Sequence, residues 1–374
     1  MSSQAGTTSG PEHFPFQRLT GSHREIGRQF GEAFAELIQL HRRRSLDRLQ
    51  RVQGIGAGPA FAAAERFRDT VRQYAPFFDE EVQGVAEGAR LPLGEAYLLQ
   101  LRAELAAPGI VEIPAMAEAG DECTTFAILP EATAGNVPLI GQNADLPAFY
   151  RDVAVMLEIV PDDMPSLLML TPAGQVSYIG MNDKGLGVFA NFVTCDGWRI
   201  GFPRYFLSRL AMTKETVDEA IEAIDSVPRA SSRNLIMIDN HGTAADLETT
   251  PTSSARLDPE DGLLAHSNHY VSAELADAER ASESYLPNSR TRLGRMRELL
   301  AKNRGRLNVE KMQEILRDRA CYPDTICRMP GDADSDVITF ASLIASPGTG
   351  EMWVAVGPPN EHSYRRYAFG ETNA

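Results

Sequence analysis

The stretch DECTTFAILP, Asp121 to Pro130, sets one cysteine between two acids and two threonines at the head of an apolar run. The four cysteines, Cys123, Cys195, Cys321 and Cys327, have no C-x-x-C spacing, and their wide scatter does not suggest a disulfide framework. No cysteine–histidine signature of the papain kind accompanies Cys123. Its position suggests another chemistry. Residues 107–120, APGIVEIPAMAEAG, read as an exposed Pro/Gly loop of the kind that is readily cut, and the cysteine stands where that loop ends. Breaking the Glu122–Cys123 bond would make the thiol the side chain of a new N-terminus. A free α-amine has a pKa of about 7.7–8.0, so a terminal cysteine carries its own base. One residue then supplies nucleophile and base, and no catalytic histidine is needed. The alternative is an ordinary buried cysteine, which is how Cys195 and Cys327 read beside their apolar neighbours.

Other chemistries have less support. His266 and His269 in AHSNHY stand three apart, but no cysteine or carboxylate pair with ligand spacing is near, so no metal is expected. There is no G-x-S-x-G serine elbow, no Walker A and no G-x-G-x-x-G opening a helix, so no nucleotide cofactor is expected. The formal net charge of −15 leaves no basic excess to neutralise phosphates, which argues against nucleic acid or an anionic membrane surface as the main partner. The first ten residues lack the basic and apolar regions of a signal peptide, and no run approaches the ~18 apolar residues of a membrane span. A cytoplasmic protein with reduced thiols is the simplest expectation.

Around these residues, the 43% hydrophobic, 23% charged chain reads as an ordinary globular protein. The first third reads as helix: in HREIGRQFGEAFAELIQLHRRRSLDRLQRV, Ile26, Phe30, Phe34, Leu37 and Ile38 form one apolar stripe. GPAFAAAERFRDTVRQYA and LGEAYLLQLRAEL follow suit. From Thr124 onward the pattern turns to short, branched strands: TTFAIL, VPLIGQN, VAVMLEIV, SLLMLT, QVSYIGM and GVFANFV, with turn material between. Two helices are expected in FPRYFLSRLAMTKETVDEAIEAI, with Thr213 as N-cap of the second. NLIMIDN and AADLETT read as strands, SRTRLGRMRELLAKN and NVEKMQEILRDRA as helices, and VITFASLIAS with GEMWVAVG as a closing hairpin. Grouped strands and grouped helices favour an α+β layered fold over a parallel doubly wound sheet.

Cys-Thr-Thr, then GQNADL, and much later HSNHY and TICR, in that order, resemble the acyl-coenzyme A:6-aminopenicillanic acid acyltransferase family of autoproteolytic N-terminal-nucleophile hydrolases. The similarity begins at GSHREIGRQFGEAF and runs through SRTRLGRMRELL to YPDTICR. It implies a four-layer αββα sandwich. Residues 1–122 would be a helical segment retained as a small subunit after self-cleavage, and 123–374 the catalytic segment, the two forming one folded unit. Cys123 resembles the nucleophile released by cutting Glu122–Cys123. Asp145 falls on the acid of the family's GQNWD pattern, which orients the new amine and thiol; otherwise it is a turn acid before Pro147. Asn268 matches the asparagine that helps hold the oxyanion; otherwise it is a loop cap.

The sequence departs from the family in three places. Glu122 replaces a common glycine, Ala144 replaces the tryptophan of NWD, and Ser335 stands where fungal members carry a candidate catalytic arginine. Arg328, in TICR, reads as structural. The resemblance implies a cysteine amidohydrolase or acyltransferase acting on a small N-acyl amide or amino-acid conjugate through an acyl-enzyme. Acyl-coenzyme A as co-substrate and a homo-oligomeric state stay open. The rival is a non-catalytic α+β binding protein with a buried Cys123.

Overall fold

The computed structural model describes residues 11–101, 103–106, 109–111, 123–332 and 336–371. Most of the 107–120 loop, Glu122 and Ser335 lie outside the described residues. Strand β1 (Phe16–Gly21) precedes six helices: α1 (His23–Ala33), α2 (Ala35–Gln53), α3 (Ala57–Glu65), α4 (Arg68–Tyr74), α5 (Pro76–Ala89) and α6 (Leu93–Leu98). Strands β2 (Thr124–Ile128) and β3 (Leu139–Pro147) follow, then the single turn α7 (Tyr150–Val153). Next come β4 (Ala154–Pro161), β5 (Leu167–Pro172), β6 (Ile179–Asn182) and β7 (Gly187–Asn191). Helices α8 (Arg204–Ala211) and α9 (Val217–Asp225) lead to β8 (Arg233–Ile238), β9 (Ala244–Thr249), β10 (Ser254–Leu257) and β11 (Leu263–His266). The chain closes with α10 (Leu286–Lys302), α11 (Val309–Leu316), β12 (Val337–Ser346), β13 (Glu351–Val356) and β14 (Arg365–Ala368).

The strands form two sheets, one ordered β1-β4-β5-β6-β7-β8-β9-β10 and the other β11-β2-β3-β12-β13-β14. Period-two alternation sorts their side chains into three cores. On β4, Val155, Leu157 and Ile159 pack with the helices from α1 to α9. The alternate Ala154 and Met156 face the second sheet and meet Leu343 and Ala345 of β12. On the second sheet Phe126 and Ile128 turn outward to Leu293 and Met296 of α10 and Met312 and Ile315 of α11. The layers therefore run helix, sheet, sheet, helix, which is the αββα sandwich expected. Strands buried on both faces read as continuous apolar runs, and this is why most were recognisable.

Several local expectations need correction. The segment ahead of Cys123 is not wholly helical: β1 pairs in parallel with β4, Phe16 opposite Met156. GPAFAAAERFRDTVRQYA breaks at Arg66 and Phe67 into α3 and α4, and α6 stops at Leu98. The N-cap of α9 is Thr216, not Thr213. Its hydroxyl accepts from Glu219 N while the Glu219 carboxylate accepts from Thr216 N, a complete capping box. The Thr213 hydroxyl instead donates to the Leu210 carbonyl at the end of α8. The closing hairpin is as expected, with Ser346 opposite Glu351.

Helix α5, which the sequence pattern did not reveal, packs face to face with α1. A Cβ on Gly27 would lie 2.1 Å from the Glu81 carbonyl oxygen, and one on Gly84 would lie 2.3 Å from that of Arg24. Only glycine permits backbones this close. Among the described residues no helix is long and apolar enough to cross a membrane.

Candidate active site

Cys123 stands at the mouth of β2 and is 3% exposed. The β2–β3 ladder pairs Thr124 with Asn143; one further step sets Cys123 against Ala144, next to Asp145. Strand β3 carries polar residues through a fully buried position, so each must find partners. Gln142 Oε1 accepts from Ala190 N at 3.1 Å. Asn143 donates from Nδ2 to the carbonyls of Leu316 (2.8 Å) and Ile326 (2.9 Å), and its Oδ1 accepts from Ser342 Oγ at 2.5 Å. These bonds tie the GQNADL strand to the helical layer on one side and the first sheet on the other.

The Cys123 carbonyl accepts two hydrogen bonds, from Asn191 Nδ2 at 3.0 Å and Arg292 Nη1 at 2.9 Å. Arg292 is fully buried on α10 and uses its whole fork. Nη1 also donates to Thr124 Oγ1 at 2.9 Å, Nη2 to Asn268 Oδ1 at 3.1 Å, and Nε to Asn288 Oδ1 at 2.8 Å. One guanidinium thus joins the cysteine to Asn268. Asn268 itself is fixed by Ser289 Oγ, which accepts from its backbone N at 2.8 Å, and one Nδ2 hydrogen goes to the Phe192 carbonyl at 2.9 Å. The amide has a second Nδ2 hydrogen to offer. Sequence reasoning missed Arg292 and Asn191. For Arg292 a signal existed: it falls with Ser289, Leu293, Met296 and Leu300 on the buried stripe of α10, where an arginine is out of place unless it is held by acceptors.

Asp145 is fully buried. Its Oδ1 accepts from Thr339 Oγ1 at 2.6 Å, while Oδ2 has no hydrogen-bond partner among the described residues. Burial pushes its pKa up to about 8, although the Arg292 charge and the Thr339 bond both act to lower it. The TICR segment braces Thr339: Arg328 N donates to Thr339 Oγ1 at 2.9 Å and Thr339 N donates to the Arg328 carbonyl at 3.0 Å. A register shift between Thr339 and Ala341 marks a bulge at this point of β12. Burial raises the pKa of Tyr285; Arg292 opposes this, and the Cys123 and Asp145 charges add to it. Cys123, Asp145, Arg292 and Tyr285 therefore share one electrostatic neighbourhood, and Arg292 extends it to Asn268.

The two histidines serve other contacts. His266 bonds Glu248 Oε1 through Nε2 at 2.9 Å and the Ser267 carbonyl through Nδ1 at 2.8 Å. Burial favours its neutral ring, yet the Asp246 and Glu248 carboxylates carry its pKa above the ordinary value. His269 Nδ1 bonds Ser289 Oγ at 2.8 Å, and burial, with the His266 charge, pushes it down to about 4. Among the described residues no cluster of three or more His, Cys, Asp or Glu side chains could hold a metal. Burial pushes the Cys327 thiol up to about 12, with Asp145 adding to the effect, and also raises that of Cys195.

A family model described as acyl-coenzyme A:6-aminopenicillanic acid acyl-transferase matches residues 132–361. The acyl-coenzyme A:6-aminopenicillanic-acid-acyltransferase 40 kDa form of Emericella nidulans is 30% identical over 292 residues, covering 78% of each chain. Among solved structures, a mutant of the conjugated bile acid hydrolase from Clostridium perfringens overlays with a TM-score of 0.46 at 13% identity, covering 67% of this chain and 98% of its own. Penicillin V acylase from Agrobacterium tumefaciens gives a TM-score of 0.44 at 13% identity, with 63% and 83% covered.

Proposed function

Because the chain belongs to the acyl-coenzyme A:6-aminopenicillanic acid acyl-transferase family, we propose that it is an amide-cleaving and acyl-transferring enzyme that matures itself at Glu122–Cys123. In maturation the Cys123 thiol adds to the Glu122 carbonyl, and the C–N bond breaks as the amine takes the thiol proton. Water then hydrolyses the resulting thioester, leaving a carboxylate on Glu122 and a free α-amine and thiol on Cys123. In turnover the thiol attacks an amide carbonyl while the α-amine takes its proton and passes it to the leaving amine. The remaining Nδ2 hydrogen of Asn268 stabilises the oxyanion. Arg292 is the positioning residue: it holds the Cys123 carbonyl and the Asn268 side-chain oxygen in one fork.

The observation that carries this function is Asp145. A buried carboxylate with one oxygen unfilled and a pKa near 8 is poorly matched to the intact chain. An α-ammonium on the neighbouring Cys123 would supply the missing donor and charge. A second function is favoured by the name of the Emericella nidulans relative. In it an acyl-coenzyme A loads Cys123, and an amine rather than water takes the acyl group.

Electrophoresis and N-terminal sequencing of the purified protein test the proposal. Two chains are expected, residues 1–122 and 123–374, the second beginning Cys-Thr-Thr, and Cys123→Ala should give one intact chain. Cleavage at the same bond in Cys123→Ala would transfer the cut to an external protease and end the self-processing proposal.

A further inference from the structure

The polar residues around Cys123 continue into a buried acidic pair that the chemistry above does not use. Side-chain alternation puts them on one face. Ile236 and Ile238 of β8 and Ala244 of β9 pack between the two sheets, so Asn234, Asp246 and Glu248 point there as well. Phe189 of β7 and Ala127 of β2 do the same for Asn191 and Thr125. Asn191 stands opposite Asn234, and Asn234 opposite Glu248, which leaves Asp246 on the diagonal from Asn234.

His266 reaches this pair from the opposite sheet. Both its ring nitrogens face acceptors, Glu248 Oε1 and the Ser267 carbonyl, and a ring with one hydrogen could serve only one of them. The geometry therefore holds it as the imidazolium. Glu248 is filled too, since the backbone N–H groups of Val271 and Ser272 also donate to it. Asp246 differs: it is 1% exposed, and neither oxygen has a hydrogen-bond partner among the described residues. Burial pushes its pKa up to about 6 against the His266 charge; Glu248 adds to the rise, and the Asn234 amide and Arg297 of α10 oppose it. Strand β10 sets the uncharged Leu257 opposite Asp246. His269, whose ring centroid lies 6.5 Å from that of His266, is neutral at pH 6 because its pKa is about 4.

From Asp246 a line of amides leads to the cysteine. Asn234 Nδ2 donates to Asn191 Oδ1 at 3.3 Å, Thr125 Oγ1 donates to the same oxygen at 2.7 Å, and Asn191 Nδ2 donates to the Cys123 carbonyl. An ionised Asp246 only accepts, so it faces the NH2 end of Asn234 and keeps that end toward Asn191. A protonated Asp246 both donates and accepts, and it binds either end of the amide. Asn234 Oδ1 has no partner among the described residues to hold it, so the amide can then turn its oxygen to Asn191 Oδ1, which repels it. We propose that Asp246 is a positioning residue for Cys123: its charge orients Asn234, Asn234 orients Asn191, and Asn191 sets the Cys123 carbonyl, so that a proton taken up between the sheets lowers the reactivity of the thiol. This inference rests on Cys123 being the nucleophile.

Iodoacetamide is the probe, because its alkylation of Cys123, followed by mass spectrometry of the cysteine peptide, requires no substrate. Dividing the wild-type rate by that of Asp246→Asn cancels the titration of the thiol and its amine. The ratio should be about tenfold near pH 8 and fall towards unity below about pH 5. Its midpoint, near 6, belongs to the coupled Asp246, Glu248 and His266. Asn234→Ala should give the same course, and the double variant should be no slower than the slower single one. Asn234→Ala also carries the test where Asp246→Asn does not fold. A ratio constant with pH, whatever its size, overturns the proposal, because a merely structural loss does not follow a proton. A flat ratio in protein that hydrolyses hexanoyl p-nitroanilide overturns the positioning role alone. The expected course in protein that never cuts itself at Glu122–Cys123 upholds that role and sinks the self-processing function instead.

Discussion

If the chain matures at Glu122–Cys123 as proposed, Asp145 ties that maturation to stability through a single proton. A carboxyl whose folded pKa is about 8 binds more protons folded than unfolded at every pH between its unfolded value, about 3.9, and 8. Its contribution to stability is therefore fully present below about pH 4 and is lost as the pH rises to about 8. In a Cys123→Ala background, which the proposed self-processing expects to stay intact, Asp145→Asn should change Tm little at pH 4. It should raise Tm at pH 8 by several degrees, at up to ~2 °C per kcal/mol, the low end of the range for smaller domains. A pH-independent difference would show that the buried carboxyl is not the group that titrates. Cys123, Asp145 and Asn268 stand out as candidates in the sequence because each sits in a short, ordered motif. Arg292 was not singled out, since its partners are scattered over Cys123, Thr124, Asn268 and Asn288 and no spacing along the chain announces them.

At the scale of elements, the packing of α1 against α5 is the most exacting contact. Gly27 and Gly31 on one helix meet Gly84 and Gly88 on the other, each facing backbone atoms of its partner. The Gly84→Ala methyl would meet the Arg24 carbonyl, which cannot rotate aside as a side chain could. A loss of about 2–3 kcal/mol is expected, more than the gain in helix propensity returns. Urea melts of the variant should show a lower midpoint with an unchanged m-value, and an unshifted midpoint would mean that the helices can slide apart. The same glycines concealed α5. They dilute its apolar stripe, and the buried Asp79 and Glu81 read as a surface face. Asp79 is in fact met by Arg68 and the Tyr97 hydroxyl, and Glu81 by Arg209 and His23. Strands were easier to read, because β4, β5 and β8 have nearly unbroken apolar runs on both faces.

For the whole molecule, the layer class could be argued from grouped strands and helices, but the order of strands could not. The second sheet joins β11 to β2 and β3 to β12, pairings between segments more than a hundred residues apart that no local pattern encodes. Strand β1 is the extreme case. It is a short polar stretch, FQRLTG, that becomes a strand only because the β4 edge is there to receive it. That pairing changes what a cut at Glu122–Cys123 would mean. The first sheet would hold strands from two polypeptides, and its assembly would turn from a first-order into a second-order reaction. Diluted from denaturant, the Cys123→Ala chain should recover native structure to an extent independent of its concentration. Matured protein should recover more at higher concentration, because its two pieces must find one another. Maturation would then act as a ratchet: the enzyme reaches its working form through an intact chain and, once severed and unfolded in dilute solution, has no comparable route back.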